Sequence, residues 1–401
     1  MEPRPSTLAP GTRLQALDIL RGLVIVIMAL DHIRDFTHES GYAYDPVDFH
    51  FAPLIVYLTR WITHFCAPTF VFLAGVSMWL QAAKGKNPSR LSGFLLKRGL
   101  WIVVLEVTVI SFGWSFSIPY MPFLQVMWAI GWSMVSMAAL VRLPRPAVLT
   151  IGAAIVLFHN LLDPIQAKNL GAFGPTWLVL HEGGIIMWNG KPLALAFYPL
   201  LPWLGVMSLG YGLGFVFLSP DRDRLLLRLS LGMLAAFAIL RSLHGYGDPL
   251  PWATQVTFAK TAMNFFDVQK YPPSLLYVCA TLGPVLLLTR FLSRCKPETL
   301  HGRLAEFFRT FGSVPMMAYI AHLYIMHLVA IAMHFAAGHR LDGMSNTVVK
   351  SFFKPDVFKG TGFSLITVYL AWAVIIALVY PICRWWNGVK RRRSDWWLSY
   401  L

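Results

Sequence analysis

The end of the first apolar segment holds the densest group of residues that could do chemistry. Asp31, His32, Arg34 and Asp35 fall within five consecutive positions. An imidazole beside a carboxylate can act as a general base near neutral pH. We therefore predict His32 as a catalytic base and Asp31 as the group that orients or charge-balances its ring. Arg34 and Asp35 are candidate substrate contacts. The alternative is a buried ion-pair network that only anchors the helix end.

A second polar group stands early in the next apolar segment. Arg60 and His64 are four residues apart, so they share one face of a helix. A short connection would bring them to the depth at which the first helix ends. His64 is therefore a second candidate base, and Arg60 is a candidate to hold a sugar or its anionic group. The acids of the connection, Asp45 and Asp48, are further candidate substrate contacts.

Other polar residues interrupt later apolar segments and need an explanation there. His322 is a candidate substrate contact, or else it makes a structural hydrogen bond to a neighbouring helix. Trp203 ends one proline-rich helix start, Tyr198–Trp203, and Lys270 begins another, Lys270–Ser274. These starts predict a rigid cavity rim with Lys270 facing an anion. Helix entry and aromatic anchoring at the interface are the alternative explanation. Glu106 is expected to pair with a histidine or arginine.

Several chemistries lack their motifs. The chain has no GxxxxGK[ST], HExxH or GxSxG sequence. Metal ligation by His32, His38 and His64 has no supporting ligand spacing, and no metal is predicted. The basic residues accompany no base-contacting motif, which argues against nucleic acid as a partner.

The composition predicts a membrane protein, because 56% of the 401 residues are hydrophobic and 13% are charged. Soluble chains carry about 25% charged residues. A helix needs roughly 20 apolar residues to cross the bilayer core. We predict an all-α, polytopic bundle of about ten transmembrane helices, near residues 19–37, 54–82, 95–114, 120–141, 147–162, 194–218, 225–243, 272–293, 310–337 and 363–384.

The basic residues predict the orientation of this bundle, since cytoplasmic loops carry an excess of Lys and Arg. Alternate connections collect the bases, from Lys84–Arg98 to the tail Lys390–Arg393. This places both termini in the cytoplasm. We expect a cytoplasmic segment over 1–18, one transmembrane domain over 19–384 and a basic cytoplasmic tail over 385–401.

Several motifs, in order along the chain, resemble bacterial relatives of the lysosomal heparan-alpha-glucosaminide N-acetyltransferase, in a wider superfamily of transmembrane acyltransferases. They are Leu-Asp18-Ile-Leu-Arg21-Gly22, Asp31-His32-Ile-Arg34-Asp35, Thr63-His64-Phe-Cys-Ala-Pro68, Tyr198-Pro-Leu-Leu-Pro-Trp203, Lys270-Tyr-Pro-Pro-Ser274 and Gly312-Ser-Val-Pro315 with Ala321-His322. The resemblance implies about ten or eleven helices. It also implies that an acetyl group is transferred across the membrane from cytosolic acetyl-CoA. His32 falls where the lysosomal enzyme has a polar residue that serves its chemistry.

The expected function is therefore an acyltransferase with acetyl-CoA as donor and the amine or hydroxyl of a glycan or amino sugar as acceptor. A basic cytoplasmic mouth could attract the phosphates of CoA, with candidate residues Arg21, Lys97, Arg98 and Arg303. The lipid bilayer is the other expected partner, in a bacterial inner membrane, and a homodimer is one assembly that the sequence allows. A proton-coupled solute transporter and a structural cell-envelope subunit are the alternatives.

Overall fold

The computed structural model describes residues 10–39, 44–395 and 398. Residues 1–9 of the predicted cytoplasmic segment lie outside this range, as do 396, 397 and 399–401 of the predicted tail. The described chain is mostly helical. The helices are α1 (Pro10–Thr37), α2 (Leu54–Trp61), α3 (Cys66–Ala83), α4 (Pro88–Leu105), α5 (Ser111–Ser115), α6 (Val126–Leu140), α7 (Arg145–Phe158), α8 (Gly174–Trp177), α9 (Leu200–Leu213), α10 (Arg222–Leu243), α11 (Phe258–Phe266), α12 (Leu275–Arg294), α13 (Pro297–Leu300), α14 (Arg303–Gly312), α15 (Pro315–Ala336), α16 (Thr347–Phe353) and α17 (Leu365–Arg392).

Short turns of other helix types join or extend several of these helices. A 3₁₀ turn over Ile62–Phe65 links α2 to α3, and another over His159–Leu162 follows α7. A π-helical turn over Glu106–Ile110 links α4 to α5. A second π-helical turn covers Leu178–Glu182. Each π turn places a polar side chain inside the bundle, Glu106 in the first and His181 in the second.

In the part of the chain that the structure describes, seven helical stretches are long and apolar enough to cross a membrane: Leu54–Ala83, Arg145–Leu162, Leu200–Leu218, Arg222–Leu243, Leu275–Arg294, Pro315–Ala336 and Leu365–Arg392. The chain is therefore a multi-pass membrane protein. Helices lie at the other three predicted positions too, but they miss this criterion for physical reasons. The helix α1 carries five charged residues between 18 and 35, α4 begins in a basic segment, and α6 has only 15 residues.

A three-stranded sheet corrects the expectation of an all-α fold. Its strands are β1 (Phe123–Leu124), β2 (Gly184–Trp188) and β3 (Lys191–Ala196), in the order β1-β3-β2. The turn between β2 and β3 is Asn189-Gly190, and both residues have positive φ. An Asn-Gly pair between two apolar runs is the strongest local signal for a hairpin. The helix predicted from residue 194 accordingly begins at Leu200.

The helix α1 is the centre of the bundle and packs against α3, α14, α15 and α17. Its closest approach is to α14, where Gly22 faces Gly312. A Cβ on Gly22 would overlap the carbonyl oxygen of Phe308, and a Cβ on Gly312 would overlap that of Asp18. Small residues let membrane helices approach in this way. Gly210 of α9 allows the same close approach, since a Cβ there would overlap the carbonyl oxygen of Phe72.

We expect Gly22→Ala to destabilise the protein by about 3 kcal/mol, the upper end of the range for overpacking, because the obstacle is backbone. The measurement is thermal unfolding of the detergent-solubilised protein. Gly93→Ala is the matched control, since it is also helical and a Cβ there meets no atom within 4 Å. It should be neutral or stabilise by up to about 1 kcal/mol. Equal melting temperatures for the two variants would contradict the packing argument.

Candidate active site

An ion-pair triad joins the end of α1 to α2. Nη1 of Arg60 lies 2.5 Å from Oδ2 of Asp31, and Nη2 of Arg34 lies 2.9 Å from Oδ1. Nη2 of Arg34 also lies 2.5 Å from Oδ1 of Asp35. One carboxylate thus holds two guanidinium groups from two helices. The sequence predicted this juxtaposition, and the structure confirms it.

Two nitrogen atoms of the Arg34 guanidinium group remain available as hydrogen-bond donors. Its side chain is only 1% exposed, yet its Nε and Nη1 atoms make no hydrogen bond within the described chain. Buried guanidinium donors are costly when they are left without an acceptor. Because Arg34 also lines the cavity described below, these donors suit a carboxylate, a phosphate or a sugar hydroxyl that enters that cavity.

His32 is oriented by a histidine of α15. Nδ1 of His32 lies 2.8 Å from Nε2 of His322, and Nδ1 of His322 lies 3.0 Å from the carbonyl oxygen of Ala318. A carbonyl only accepts, so Nδ1 of His322 donates and its Nε2 accepts when the ring is neutral. Nδ1 of His32 must then donate to His322. The lone pair that remains on His32 is on Nε2, which is the arrangement a general base needs.

The larger cavity beside this group, here called the Asp31 cavity, has a volume of about 530 Å³. That volume falls in the range of small-molecule sites. Six of the predicted charged residues line it, and they balance in charge. Its lining includes Asp31, His32, Arg34, Asp35, Asp45, Arg60, Gln125, Phe197, Tyr198, Lys270, Tyr271, Thr347 and Ser351.

Lys270 is the cation of the Asp31 cavity without an ion pair among the described residues. Its side chain is buried, and its Nζ lies 5.1 Å from the centre of the Tyr271 ring. Tyr271 in turn packs on Phe197, with 4.1 Å between ring centres. This wall combines a positive charge with aromatic faces, a combination that suits a polar ligand carrying negative charge.

A second cavity, here called the Arg98 cavity, has a volume of about 300 Å³. Arg21, Ser77, Gln81, Arg98 and Lys390 supply its polar lining, and the rest is mainly apolar. Arg21 is held by Asp18 at 2.6 Å and by the carbonyl oxygen of Gly312 at 3.1 Å. Three cationic side chains from three helices therefore line one mainly apolar cavity.

A void of about 20 Å³ lies between the two cavities and shares walls with both. Asp31, His32 and Lys270 belong to it and to the Asp31 cavity, while Phe70 belongs to it and to the Arg98 cavity. Arg21 and Asp31 mark the two cavities on the same helix, ten residues or about 15 Å apart. His32 therefore lines both the Asp31 cavity and the void that lies between it and the Arg98 cavity.

Glu106 corrects the expectation of an ion pair. Its fully buried carboxylate accepts the backbone N–H of Gln125 at 2.6 Å, and no cation pairs with it among the described residues. Gln125 is the residue before α6, so the carboxylate occupies the start of that helix, where N–H groups lack partners. Glu106 thereby fixes Gln125, which lines both the Asp31 cavity and the void.

Six predicted site residues line neither cavity, among them His322, which contacts His32 instead. The ring of His64 packs on Trp61 and Tyr277, and its Nδ1 faces the carbonyl oxygens of Arg60 and Trp61 at 3.2 Å. The 3₁₀ turn over Ile62–Phe65 explains this, because three residues per turn rotate His64 off the face of Arg60. The other four lie on the surface or in the core, namely Asp48, Lys97, Trp203 and Arg303.

Several residues that line the cavities were not predicted from the sequence. Lys390 comes from the far end of α17, and Thr347 and Ser351 come from the short helix α16. Their one sequence signal is polarity near apolar segments, which many solvated residues share. Tyr198 and Tyr271 had a stronger signal, since both precede prolines at helix starts.

Two buried acids, Asp267 and Asp248, lie outside the membrane-spanning segments. Burial raises the pKa of Asp267 to about 7, and repulsion from Asp45, which lines the Asp31 cavity, adds to this, while Arg241 opposes it. Burial also raises the pKa of Asp248. The negative charge of Asp267 therefore falls as the pH drops through neutrality.

A multi-pass bundle with a histidine between a polar cavity and a mainly apolar one is an architecture suited to group transfer within a membrane. The chain belongs to the family of heparan-alpha-glucosaminide N-acetyltransferase catalytic domains, whose sequence profile matches residues 13–246. Membership implies a membrane acyltransferase. The match includes Arg21, His32 and Arg98 but ends before Lys270 and His322. No curated protein sequence matches the chain significantly.

We expect Asp31→Asn to destabilise the protein by about 3 kcal/mol, because it leaves two buried guanidinium groups without their counter-charge. Thermal unfolding in detergent measures the loss. The matched control is Asp342→Asn, which breaks an exposed ion pair with Arg340 at 2.7 Å and should leave the melting temperature nearly unchanged. If Asp31→Asn melts like this control, the triad does not hold α1 to α2.

Proposed function

We propose that the protein transfers an acetyl group from acetyl-CoA to an amine or hydroxyl of a sugar-type acceptor, with His32 as the general base. The observation that carries this proposal is the position of His32, which lines the Asp31 cavity and the void between it and the Arg98 cavity. Family membership supplies the reaction class. The cavity geometry supports a separate place for each substrate.

The Arg98 cavity suits the donor. CoA combines anionic phosphates with a long, slender pantetheine arm that ends in the thioester. Arg21, Arg98 and Lys390 would bind the phosphates. The apolar walls would take the arm and direct the thioester past Phe70 toward His32. Arg98 lies over the Phe94 ring, 5.8 Å from its centre, which fits a stacked guanidinium at the mouth.

The Asp31 cavity suits the acceptor. Its volume accommodates one or two sugar rings, and its lining supplies donors, acceptors and both signs of charge. Tyr271 and Phe197 offer aromatic faces to the apolar side of a sugar. The spare donors of Arg34 and the ammonium group of Lys270 would bind an anionic substituent.

In the proposed reaction the acceptor nitrogen or oxygen attacks the thioester carbonyl. Nε2 of His32 takes the proton of the acceptor, a new bond forms to the carbonyl carbon, and the C–S bond breaks. The CoA sulfur then leaves and takes the proton back from His32. His322 holds the tautomer through this cycle, since its hydrogen bond to Ala318 keeps Nε2 as an acceptor. Transfer through an acetyl-imidazole on Nε2 uses the same geometry.

We further propose the orientation that the basic connections predict. The Arg98 cavity would open to the cytoplasm, where acetyl-CoA is made, and the Asp31 cavity would open to the opposite side. Residues 19–384 would form the single catalytic domain of a bacterial inner-membrane enzyme. Lys390, from the basic tail, would complete the donor site.

The test of the base uses purified protein in lipid vesicles with radiolabelled acetyl-CoA and a mixture of amino sugars. We expect labelled acceptor from the wild-type protein and a loss of at least about 100-fold for His32→Ala, the usual contribution of a general base. His64→Gln is the matched control, since His64 is also a buried histidine but lies off the cavities. It should keep more than a tenth of the activity.

If His32→Ala stays active while His64→Gln does not, His64 is the base and the proposed geometry is wrong. If the wild-type protein neither binds nor consumes acetyl-CoA, the acyltransferase proposal fails. Accumulation of a solute in the vesicles would then favour the transporter.

The test of the donor site compares two adjacent bases of α4. Arg98→Ala should raise the KM for acetyl-CoA about tenfold with little change in kcat, because it removes a phosphate contact made equally in ground and transition states. Lys97→Ala removes the same charge from an exposed position outside the cavity, so its KM should stay near that of the wild-type protein. Equal effects of the two variants would show that the positive charge of this region attracts acetyl-CoA without a specific binding site at Arg98.

A further inference from the structure

A cluster of two histidines and an aspartate lies apart from the Asp31 and Arg98 cavities. His159 and Asp163 belong to the turn after α7, and His181 belongs to the π-helical turn Leu178–Glu182. One ligand atom from each of the three residues lies within 4.8 Å of the other two. The histidine side chains are 3% and 2% exposed, so the cluster is built into the protein and is not a surface patch.

The cluster holds more donor and acceptor capacity than it uses. Neither ring nitrogen of His159 makes a hydrogen bond of standard geometry in the described chain, and the same holds for Oδ1 of Asp163. The other carboxylate oxygen accepts from Asn160 at 2.8 Å, which orients the group. Nε2 of His181 lies 3.6 Å from Oδ1 of Asp163, beyond hydrogen-bond length. Buried polar atoms left in this state point to a missing partner.

We propose that His159, Asp163 and His181 bind a divalent transition-metal ion, with Zn²⁺ as the reference ion. Two imidazole nitrogens and a carboxylate oxygen are a common donor set for such ions, whereas Ca²⁺ and Mg²⁺ take oxygen donors alone. Zinc–ligand bonds are about 2.0–2.2 Å long. In tetrahedral coordination two ligand atoms of one ion therefore lie about 3.4 Å apart. Because the three ligand atoms lie within 4.8 Å of one another, the widest pair would close by up to about 1.4 Å.

The surroundings orient both imidazoles for ligation. Trp177 stacks on His181 with 5.2 Å between ring centres and 14° between the planes. Nε2 of His181 lies 2.9 Å from the carbonyl oxygen of His159. Metal binding exchanges that hydrogen bond for a coordinate bond and places the ring hydrogen of His181 on Nδ1. The carbonyl of Pro273 lies beside the ring of His159 and can accept from the nitrogen that does not ligate.

The site would act as a clamp between three segments. Ligation ties the turn after α7 to residue 181, and Oδ1 of Asn160 already accepts the backbone N–H of Leu275 at 3.0 Å. Pro273 and Leu275 belong to the segment that carries Lys270 and Tyr271 into the Asp31 cavity. A bound ion would therefore restrict the motion of the segment that carries Lys270 and Tyr271, on the side of that segment that faces away from the cavity. The inference concerns metal binding and stands independently of the proposed acetyl transfer.

The test is a zinc measurement on full-length protein, purified in detergent through an affinity tag without histidine. After equilibration with Zn²⁺ and removal of loose ions, the wild-type protein should retain roughly one zinc per chain by elemental analysis, the stoichiometry of one three-ligand site. Asp163→Asn and His181→Gln keep side-chain size. Each should weaken zinc binding at least about 100-fold in competition with a chromophoric chelator, since even outer-shell changes cost 10–100-fold.

His50→Gln is the matched control, because His50 is an exposed histidine outside the cluster. It should bind zinc like the wild-type protein. Size-exclusion chromatography checks that each variant is folded. Wild-type protein that binds zinc no more tightly than the two cluster variants would overturn the proposal. So would an equal loss in His50→Gln, since the zinc would then lie elsewhere.

Discussion

Two guanidinium groups share the carboxylate of Asp31, and the placement of the candidate active site depends on this interaction. The triad lies within the bundle, where an unpaired charge is costly. Arg60 can satisfy its charge only by bringing α2 against the end of α1, since its partner there is 2.5 Å away. His32 is the next residue, so the same contact fixes the backbone that carries the imidazole. Its ring then meets His322 at 2.8 Å.

The two cavities differ in the way that the two proposed substrates differ. The Arg98 cavity has cationic residues at one end and apolar walls beyond them, which fits a molecule with charge at one end only. The Asp31 cavity balances three acids against three bases and adds aromatic faces. His32 lies between them and is held by a relay that ends on a backbone carbonyl. A relay that ends on backbone keeps one tautomer, because a carbonyl cannot donate.

Apolar block length predicted a helix at all ten positions, and it did so because the bilayer sets one length for every span. The meeting of Asp31 with Arg60 was predictable as well, since a hairpin joins neighbouring segments. Contacts between residues far apart in the sequence were harder to predict. Lys390 lies 292 residues from Arg98 in the sequence, and no local pattern connects them. The position of His64 was predicted wrongly because a short 3₁₀ turn precedes α3. The hairpin of the sheet was predictable from the Asn189-Gly190 pair, but the apolar blocks alone did not predict it.

The small void between the cavities has a consequence for desolvation. Its volume of about 20 Å³ exceeds the 10–15 Å³ or so that one water molecule needs. Asp31, His32 and Lys270 line it, so a water there would have polar partners. That water would occupy the place where the proposed thioester must meet His32. Binding of the donor would therefore have to displace it, and the free energy of that displacement would enter the affinity for the donor.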